Sequence, residues 1–122
     1  MANPLETPVD SAAGAEASRW DQQLRDHGVA ESAASQKAYL KSDLEFAGTG
    51  VPAIRSMVTG WRKTRRSLTH DEVTALVQAL WASPLYECRQ AAVVLLARTT
   101  RLLGAADMEL VEHMLRTSHT WA

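Results

Sequence analysis

The chain has 122 residues, of which 46% are hydrophobic and 22% are charged, a composition that excludes a disordered polar segment and fits one folded domain. Its 13 basic and 14 acidic residues give a formal net charge of -1, which excludes a polybasic protein. The two signs are unevenly distributed. Residues 1–31 hold two basic and six acidic residues (2 − 6 = −4), and residues 32–122 hold eleven and eight (11 − 8 = +3). The larger part of the chain is therefore mildly basic.

The cysteine content and the N-terminus indicate a cellular compartment. The single cysteine, Cys88, rules out an internal disulfide and fits a reducing environment. The longest apolar run, residues 91–97, is far shorter than the roughly 20 residues that cross a bilayer. The N-terminus lacks the basic and apolar regions of a secretory signal. We expect a cytoplasmic protein with no membrane span and a disordered leader over residues 1–17.

Beyond this leader, apolar residues recur at helical spacing and strand-like alternation is nowhere sustained, so the sequence predicts an all-α fold. Pro52 suits the first turn of a helix, and Thr69 with Glu72 has the spacing of a capping box. The predicted helices cover residues 18–27, 30–42, 52–66, 70–82, 84–103 and 107–116.

Each predicted helix has an apolar face. We expect Ala34 and Ala38 to face inward from the second helix. Cys88 lies on the apolar face of the fifth helix, where it is a small core residue before it is a nucleophile. The tryptophans inside helical stripes are predicted core residues: Trp20, Trp61 and Trp81. The predicted apolar face of the sixth helix consists of Met108, Val111, Met114 and Leu115.

An internal repeat relates the fourth and sixth helices. A shift of 35 residues superposes similar side chains, including Val73 on Met108 and Leu80 on Leu115. Such a period is typical of stacked helix pairs, in which each pair buries its apolar face against its neighbours. We therefore favour a HEAT-like helical-repeat solenoid. Chance similarity between two amphipathic helices is the alternative.

A cluster of cations follows the third apolar stripe with no acidic residue inside it: Arg55, Arg62, Lys63, Arg65 and Arg66. Phosphate groups are the obvious partners of such a cluster. The alternative is that these cations stabilise the C-terminal end of a helix through its dipole. Further cations occur on the later helices: Arg89, Arg98, Arg101 and Arg116. If these helices stack side by side, their cations can line one concave face.

Two aromatic residues are candidates for stacking on nucleic-acid bases. Tyr39 lies between Lys37 and Lys41 near the end of a helix, where it could equally be half-buried. Trp121 belongs to no apolar stripe. Exposed aromatic rings among cations suit nucleic-acid binding. The four histidines have no metal-ligand spacing, and no glycine-rich phosphate loop occurs, so neither a metal nor a cofactor is expected.

These residues resemble a known family. The matching blocks are Tyr39-Leu40-Lys41, Phe46-x-Gly48-x-x-x-Pro52-x-x-Arg55, Leu80-Trp81-x-Ser83-Pro84-x-Tyr86-Glu87-x-Arg89-x-Ala91-Ala92 and Thr120-Trp121. With them the chain resembles the bacterial DNA alkylation repair enzymes built of HEAT-like repeats. Those enzymes are glycosylases that release cationic N3- and N7-alkylated purines. Thr49 departs from the aliphatic residue usual in the family's loop.

The resemblance implies roles for individual residues. Tyr39 and Trp121 would contact the lesion nucleotide, because electron-rich rings attract a cationic base by roughly 0.5–2 kcal/mol each. The partner would be double-stranded DNA carrying alkylated purines, in the bacterial cytoplasm or nucleoid. The family's catalytic aspartate stands four residues past this tryptophan, beyond Ala122. We therefore expect residues 18–122 to be the N-terminal part of a longer repeat domain, with no complete catalytic site.

This expectation leaves open whether the chain is itself an enzyme. DNA binding by the chain is expected to be at most weak, excision close to zero, and self-association to occur through the uncovered face of the last repeat. Two other functions remain open on the same residues. One is a helical-repeat module that binds proteins, and the other is a family member that binds DNA without catalysis.

Overall fold

The computed structural model describes residues 8–40, 42–65 and 67–118. These residues form six α-helices and, within the same ranges, no strand; the only β-type pairing there is an isolated bridge between Glu45 and Leu85. The helices are α1 (Pro8–Asp26), α2 (Ala30–Leu40), α3 (Val51–Lys63), α4 (His70–Trp81), α5 (Tyr86–Arg98) and α6 (Met108–Arg116). Two short 3-10 segments, Thr100–Leu102 and Ala105–Asp107, connect α5 to α6. The prediction of an all-α helical-repeat segment is confirmed.

The first helix is longer than predicted. It begins at Pro8, whereas the sequence placed its start at residue 18 and a disordered leader before it. Ala13 is only 7% exposed and belongs to the core, and the carboxylate of Glu16 accepts a hydrogen bond from Nε1 of Trp20 at 3.0 Å. Alanine favours helix strongly without forming a conspicuous apolar stripe, so periodicity alone missed this extension. Residues 1–7 of the predicted leader lie outside the described residues.

The core is formed mainly by α1, α4 and α5, and α3 packs against α5. Trp20 is 1% exposed and meets Trp61 edge to face, with 5.5 Å between the ring centroids. Trp61 is half-buried against this core, while Trp81 and Cys88 are buried within it. The predicted core positions of the three tryptophans and of the cysteine are therefore confirmed.

The start of α4 also follows the sequence. The hydroxyl of Thr69 accepts a hydrogen bond from the Glu72 backbone N–H at 3.2 Å, which satisfies one of the unpaired amides of the first turn. The Glu72 side chain differs from the predicted box, because its carboxylate accepts from the Thr69 hydroxyl at 3.0 Å rather than from the Thr69 amide.

Two predicted apolar faces are wrong. In α2, Ala34 and Ala38 are exposed, and Leu40 is the buried side chain. In α6, Met114 is buried, but the predicted Met108 and Leu115 are 57% and 73% exposed.

The reason is that periodicity identifies apolar residues but does not tell which neighbour covers them. The predicted shift of 35 residues also pairs the buried Leu80 with the exposed Leu115. A shift of 34 residues (114 − 80 = 34) pairs Leu80 with Met114, and both of these side chains are buried.

Side-chain contacts join α4 to the connection that precedes α6. Nε2 of His70, the first residue of α4, lies 2.7 Å from Oδ1 of Asp107, and its Nδ1 lies 3.0 Å from Oδ1 of Asp71. Oδ2 of Asp107 accepts from the Gly104 amide at 2.7 Å. Hydrogen bonds to these two carboxylates raise the pKa of His70, and the bond to Asp71 has the larger effect.

No helix in the described part of the chain has the length and apolarity that crossing a bilayer requires.

Candidate nucleic-acid interface

Cations of α3 and α5 share one side of the molecule. Ile54 and Val58 of α3 are buried in the core, and Arg55 and Arg62 lie beside this buried stripe. Arg55 and Arg62 are seven residues apart, about two helical turns, and therefore project in similar directions. Thr59 lies between them, and its hydroxyl accepts a hydrogen bond from Nη1 of Arg98 at 2.9 Å. We call this surface the cationic face, and it carries Arg55, Arg62 and Arg98, with Lys63 following Arg62 at the end of α3.

The cationic face has almost no compensating negative charge of its own. Within Val51–Lys63 there is no acidic residue, and within Tyr86–Arg98 there is only Glu87, which is completely buried. Arg62 is half-buried, and its Nε, which is shielded from solvent, finds no acceptor among the described residues. A surface of this kind attracts phosphate groups.

Arg65 lies elsewhere. Its guanidinium is 3.5 Å from the Glu16 carboxylate of α1 and stands 5.0 Å above the ring centre of Trp61. These contacts place it on the α1 side of α3 rather than on the α5 side. The predicted cationic cluster is therefore divided between two sides of α3.

A cavity of about 200 Å³ opens between α3 and α5, the two helices that carry the cationic face. Most of its wall is apolar or aromatic, and the polar lining includes Gln90, whose amide N–H donates to the Tyr86 hydroxyl at 3.1 Å. The residues that line the cavity are Leu44, Val51, Ile54, Trp81, Tyr86, Arg89, Gln90, Val93, Val94 and Ser118.

Arg89 connects this cavity to the end of α6. Its guanidinium stands 4.8 Å above the ring centre of Trp81, and its Nη1 donates to the Thr117 carbonyl at 2.7 Å. Nε1 of Trp81 donates to the Thr117 hydroxyl, also at 2.7 Å. Loss of hydration lowers the pKa of Arg89, although an arginine remains charged in a protein. The guanidinium of Arg89 thus makes contacts within the fold, and these contacts fix the C-terminal end of α6 beside the cavity.

A second apolar cluster lies where α2 meets the loop that leads to α3. It consists of the buried Leu40, Leu44 and Tyr86 and the half-buried Phe46, whose ring stacks on that of Tyr86 with 4.6 Å between centroids and 25° between planes. We call this the loop cluster. Tyr39 precedes Leu40 in the last turn of α2 and is 70% exposed. Because Leu44 and Tyr86 also line the cavity, the backbone that carries Tyr39 is anchored at the cavity wall.

The loop itself is held by a buried carboxylate. Oε1 of Glu87 accepts a hydrogen bond from the Ala47 amide at 2.9 Å, and Oε2 accepts from the Gly48 amide at 3.0 Å. Gly48 has φ 81°, and a Cβ there would come within 2.0 Å of the Val29 carbonyl oxygen. Only glycine satisfies both the backbone conformation and this close approach.

Backbone and hydroxyl contacts fix the rest of the loop. The Glu45 amide donates to the Pro84 carbonyl at 2.9 Å, and the Tyr86 amide donates to the Glu45 carbonyl at 2.7 Å. Thr49 is 2% exposed, and its hydroxyl donates to the Leu24 carbonyl in the last turn of α1. The hydroxyl of this buried threonine therefore has a hydrogen-bond partner inside the fold.

Comparison with known proteins identifies the family. A family model described as "DNA alkylation repair enzyme" matches residues 20–122. The chain belongs to this family. No curated protein and no solved structure matches the chain.

As a member of the DNA alkylation repair enzyme family, the chain can be compared with the site that its sequence implied. Arg55 and Arg62 are two turns apart on α3, Lys63 follows Arg62 at the end of this helix, and Arg65 pairs with Glu16 of α1. Tyr39 is exposed at the edge of the loop cluster. Arg66 and Trp121 lie outside the described residues.

Sequence reasoning assigned no role to Glu87 and treated Arg89 only as additional charge. Both residues stand inside the block from Leu80 to Ala92 that carries the resemblance. The further signal was an acidic residue directly before a run of core side chains, Cys88, Ala91 and Ala92. Such a position is normally apolar, and a buried carboxylate there needs donors from another segment.

The other chemically reactive groups form no second site in the part of the chain that the structure describes. No group of three histidine, cysteine, aspartate or glutamate side chains that could hold a metal ion occurs there. Burial raises the pKa of the Cys88 thiol to about 12, so it is not a nucleophile at neutral pH.

Proposed function

We propose that this protein acts on cationic N3- and N7-alkylated purines in duplex DNA. In this proposal the DNA backbone lies along the cationic face, and the damaged base meets the rings of Tyr39 and Trp121. The observation that carries the proposal is a row of cations on α3 and α5 without an exposed carboxylate in either helix, beside a partly aromatic cavity. Membership of the DNA alkylation repair enzyme family supports it.

The chemistry of the lesion suits these groups. Alkylation at N3 or N7 gives the purine a positive charge, and aromatic faces attract a cation more strongly than a neutral base. The charged base is also a good leaving group. When its bond to C1′ of the sugar breaks, the bonding electrons move to the base, which departs neutral, and water adds to C1′ with loss of a proton. Positive charge develops on the sugar in the transition state, where a nearby carboxylate would stabilise it.

The described residues do not offer such a carboxylate on the cationic face. Glu87 is the one acidic side chain within α3 and α5, and both of its oxygens already accept backbone hydrogen bonds inside the fold. We therefore propose that glycosidic-bond hydrolysis is the activity of the family domain, and that the 122-residue chain by itself binds DNA without appreciable excision.

Fluorescence anisotropy with two duplexes, identical except for one N7-methylguanine in place of guanine, tests the proposal. We expect tighter binding of the methylated duplex, and binding of both should weaken steeply with rising salt. Tyr39→Ala should reduce the preference for the methylated duplex by about two- to thirtyfold, because one cation–π contact is lost. Tyr39→Phe keeps the ring and should retain the preference.

Two outcomes would contradict this function. Equal affinity for the two duplexes would remove lesion recognition and leave a non-catalytic DNA-binding module. Absence of salt-dependent DNA binding would favour a helical-repeat module that binds proteins. Release of N7-methylguanine by the 122-residue chain would contradict the narrower proposal that it cannot excise the base.

A further inference from the structure

The position of Tyr39 follows from how the end of α2 is held. Leu40 is the one buried residue of α2, and α2 packs only lightly against the other helices. The loop over residues 42–50 therefore has to determine where the end of α2 stands relative to α3 and α5. The contacts of this loop with α5 and with the turn before α5 are consequently decisive for the placement of the Tyr39 ring.

We propose that Glu87 is a positioning residue for lesion recognition, which rests on the proposed function given above. Its carboxylate fixes the loop against α5 and so determines where Tyr39 stands relative to the cationic face. Glu87 touches neither DNA nor the damaged base in this proposal. It acts through the backbone of Ala47 and Gly48 and through the loop cluster.

The geometry of the contact supports a positioning role. Glu87 is completely buried, and each of its two oxygens accepts one of two consecutive loop amides, at 2.9 Å and 3.0 Å. A left-handed glycine allows neighbouring amides to converge on one anion, and Gly48 has that conformation. Hydrogen bonds to an ionised acceptor are stronger and more directional than neutral ones. Two such bonds at adjacent residues fix the orientation of the loop as well as its position.

Helix α5 carries both Glu87, which holds the loop, and Arg98 of the cationic face. Glu87 lies in the first turn of α5, and Arg98 of the cationic face lies in its last turn. On the other side, the loop continues from Gly48 through Phe46 and Leu44 to Leu40, which packs in the loop cluster directly after Tyr39. Helix α5 is thus a common frame for the phosphate-binding side chains and for the tyrosine.

Glu87→Gln tests this role with minimal change in volume. Glutamine keeps one acceptor oxygen but turns an NH₂ group toward the second loop amide, so one hydrogen bond is lost and two donors face each other. We expect the preference for the N7-methylguanine duplex to fall by about two- to thirtyfold, as it does in Tyr39→Ala. Affinity for the unmodified duplex should be unchanged, because the cations of α3 and α5 stay in place.

A double variant separates positioning from general structure. If Glu87 acts through Tyr39, adding Glu87→Gln to Tyr39→Ala should cause no further loss of preference, since the affected contact is already gone. Additive losses, or an equal loss of affinity for both duplexes, would overturn the inference. If Tyr39→Ala alone leaves the preference unchanged, the proposed lesion contact fails instead, and the two failures are thereby distinguished.

Phe46→Leu provides a second variant in case Glu87→Gln does not fold. It removes the ring stacked on Tyr86 at the same loop but leaves the buried carboxylate and its two acceptors intact. It should also lower the preference without changing affinity for unmodified DNA. Normal preference in a folded Phe46→Leu protein, combined with fast amide exchange at Ala47 and Gly48, would show that loop order does not control recognition and would overturn the inference.

Discussion

The carboxylate of Glu87 accepts a hydrogen bond from the backbone amide of Gly48, at 3.0 Å and across 39 residues of sequence. This contact joins the first turn of α5 to the loop between α2 and α3. The glycine-containing block and the block around Glu87 are separate motifs in the sequence, but in the fold they are the two halves of one structural unit. The stability of this unit and its proposed role in recognition can be tested separately.

Gly48→Ala should destabilise the protein. Its φ of 81° is unfavourable for alanine by about 1–3 kcal/mol, and the new Cβ would meet the Val29 carbonyl oxygen at 2.0 Å. Backbone atoms cannot move aside as cheaply as the end of a side chain. Urea denaturation followed by circular dichroism measures the free energy of unfolding.

Gly60→Ala is the matched control. Gly60 lies inside α3, and an added Cβ there meets no heavy atom within 4 Å. Alanine should therefore raise the free energy of unfolding by about 0.5–1 kcal/mol. If the two substitutions had the same effect, the special conformation assigned to Gly48 would be wrong.

If the proposed function holds, Arg55→Gln should weaken binding to any duplex, modified or not, because it removes one of the proposed phosphate contacts of the cationic face. The slope of log affinity against log salt should become shallower by about one unit. Arg19→Gln removes the same charge from the α1 side, where Arg19 pairs with Glu16, and should change the slope little. Equal effects of the two substitutions would indicate attraction by net charge and not by a defined face.

The contact of His70 with Asp107 should make stability depend on pH. Hydrogen bonds with Asp71 and Asp107 raise the pKa of His70 above its ordinary 6.5, so its stabilisation is complete below that pH and is lost as the pH rises through the folded value. The Gly104 amide and then His70 lower the pKa of Asp107, whose contribution is lost only as the pH falls below its ordinary 3.8.

The melting temperature measured at several pH values tests this link. The melting temperature of the protein should exceed that of the His70→Gln variant most between about pH 4 and 6.5. The difference between the two melting temperatures should shrink toward pH 8.5. His113→Gln is the control, because His113 lines one cleft together with His70 and Asp107 but has no ion pair among the residues described. A constant difference between the protein and His70→Gln across this range would refute a charged His70 as the cause.

Cys88 should be almost unreactive in the folded protein. Its side chain is completely buried and its pKa is raised to about 12, chiefly by loss of hydration. An aromatic disulfide reagent at pH 8 should label it at the rate at which the core opens, and at full speed in urea. Rapid labelling without denaturant would mean that the packing of α5 against α1 and α4 is wrong.

Local signals predicted much of the helical framework. Thr69 and Glu72 correctly predicted where α4 begins, because a helix cap depends only on residues within one turn of each other. Trp20, Trp61 and Trp81 could be assigned to the core because apolar spacing reflects the buried side of a helix. The early start of α1 was not predicted because residues 8–17 are rich in small residues and have no apolar stripe. Leu115 was wrongly assigned to a buried face because apolar spacing does not show which residues pack against it.

The site was less accessible to such reasoning. Its contacts join distant segments, as Glu87 does with Gly48 and Arg98 with Thr59, and no local pattern encodes a hydrogen bond across 39 residues. Spacing along α3 also could not show that Arg65 turns toward Glu16 and away from α5. Tyr39 became a candidate through its position between Lys37 and Lys41 and through the family resemblance, and the structure adds that this ring is exposed beside the loop cluster.

The light packing of α2 has a consequence for how the protein can change over evolution. Since Leu40 is the one buried side chain of this helix, separating it from the rest uncovers little apolar surface and should need much less free energy than global unfolding. Substitutions over residues 30–39 should therefore be tolerated while the bundle of α1, α4 and α5 remains intact. If the proposed role of Tyr39 holds, the part of the chain that selects the damaged base and the part that stabilises the fold can change independently.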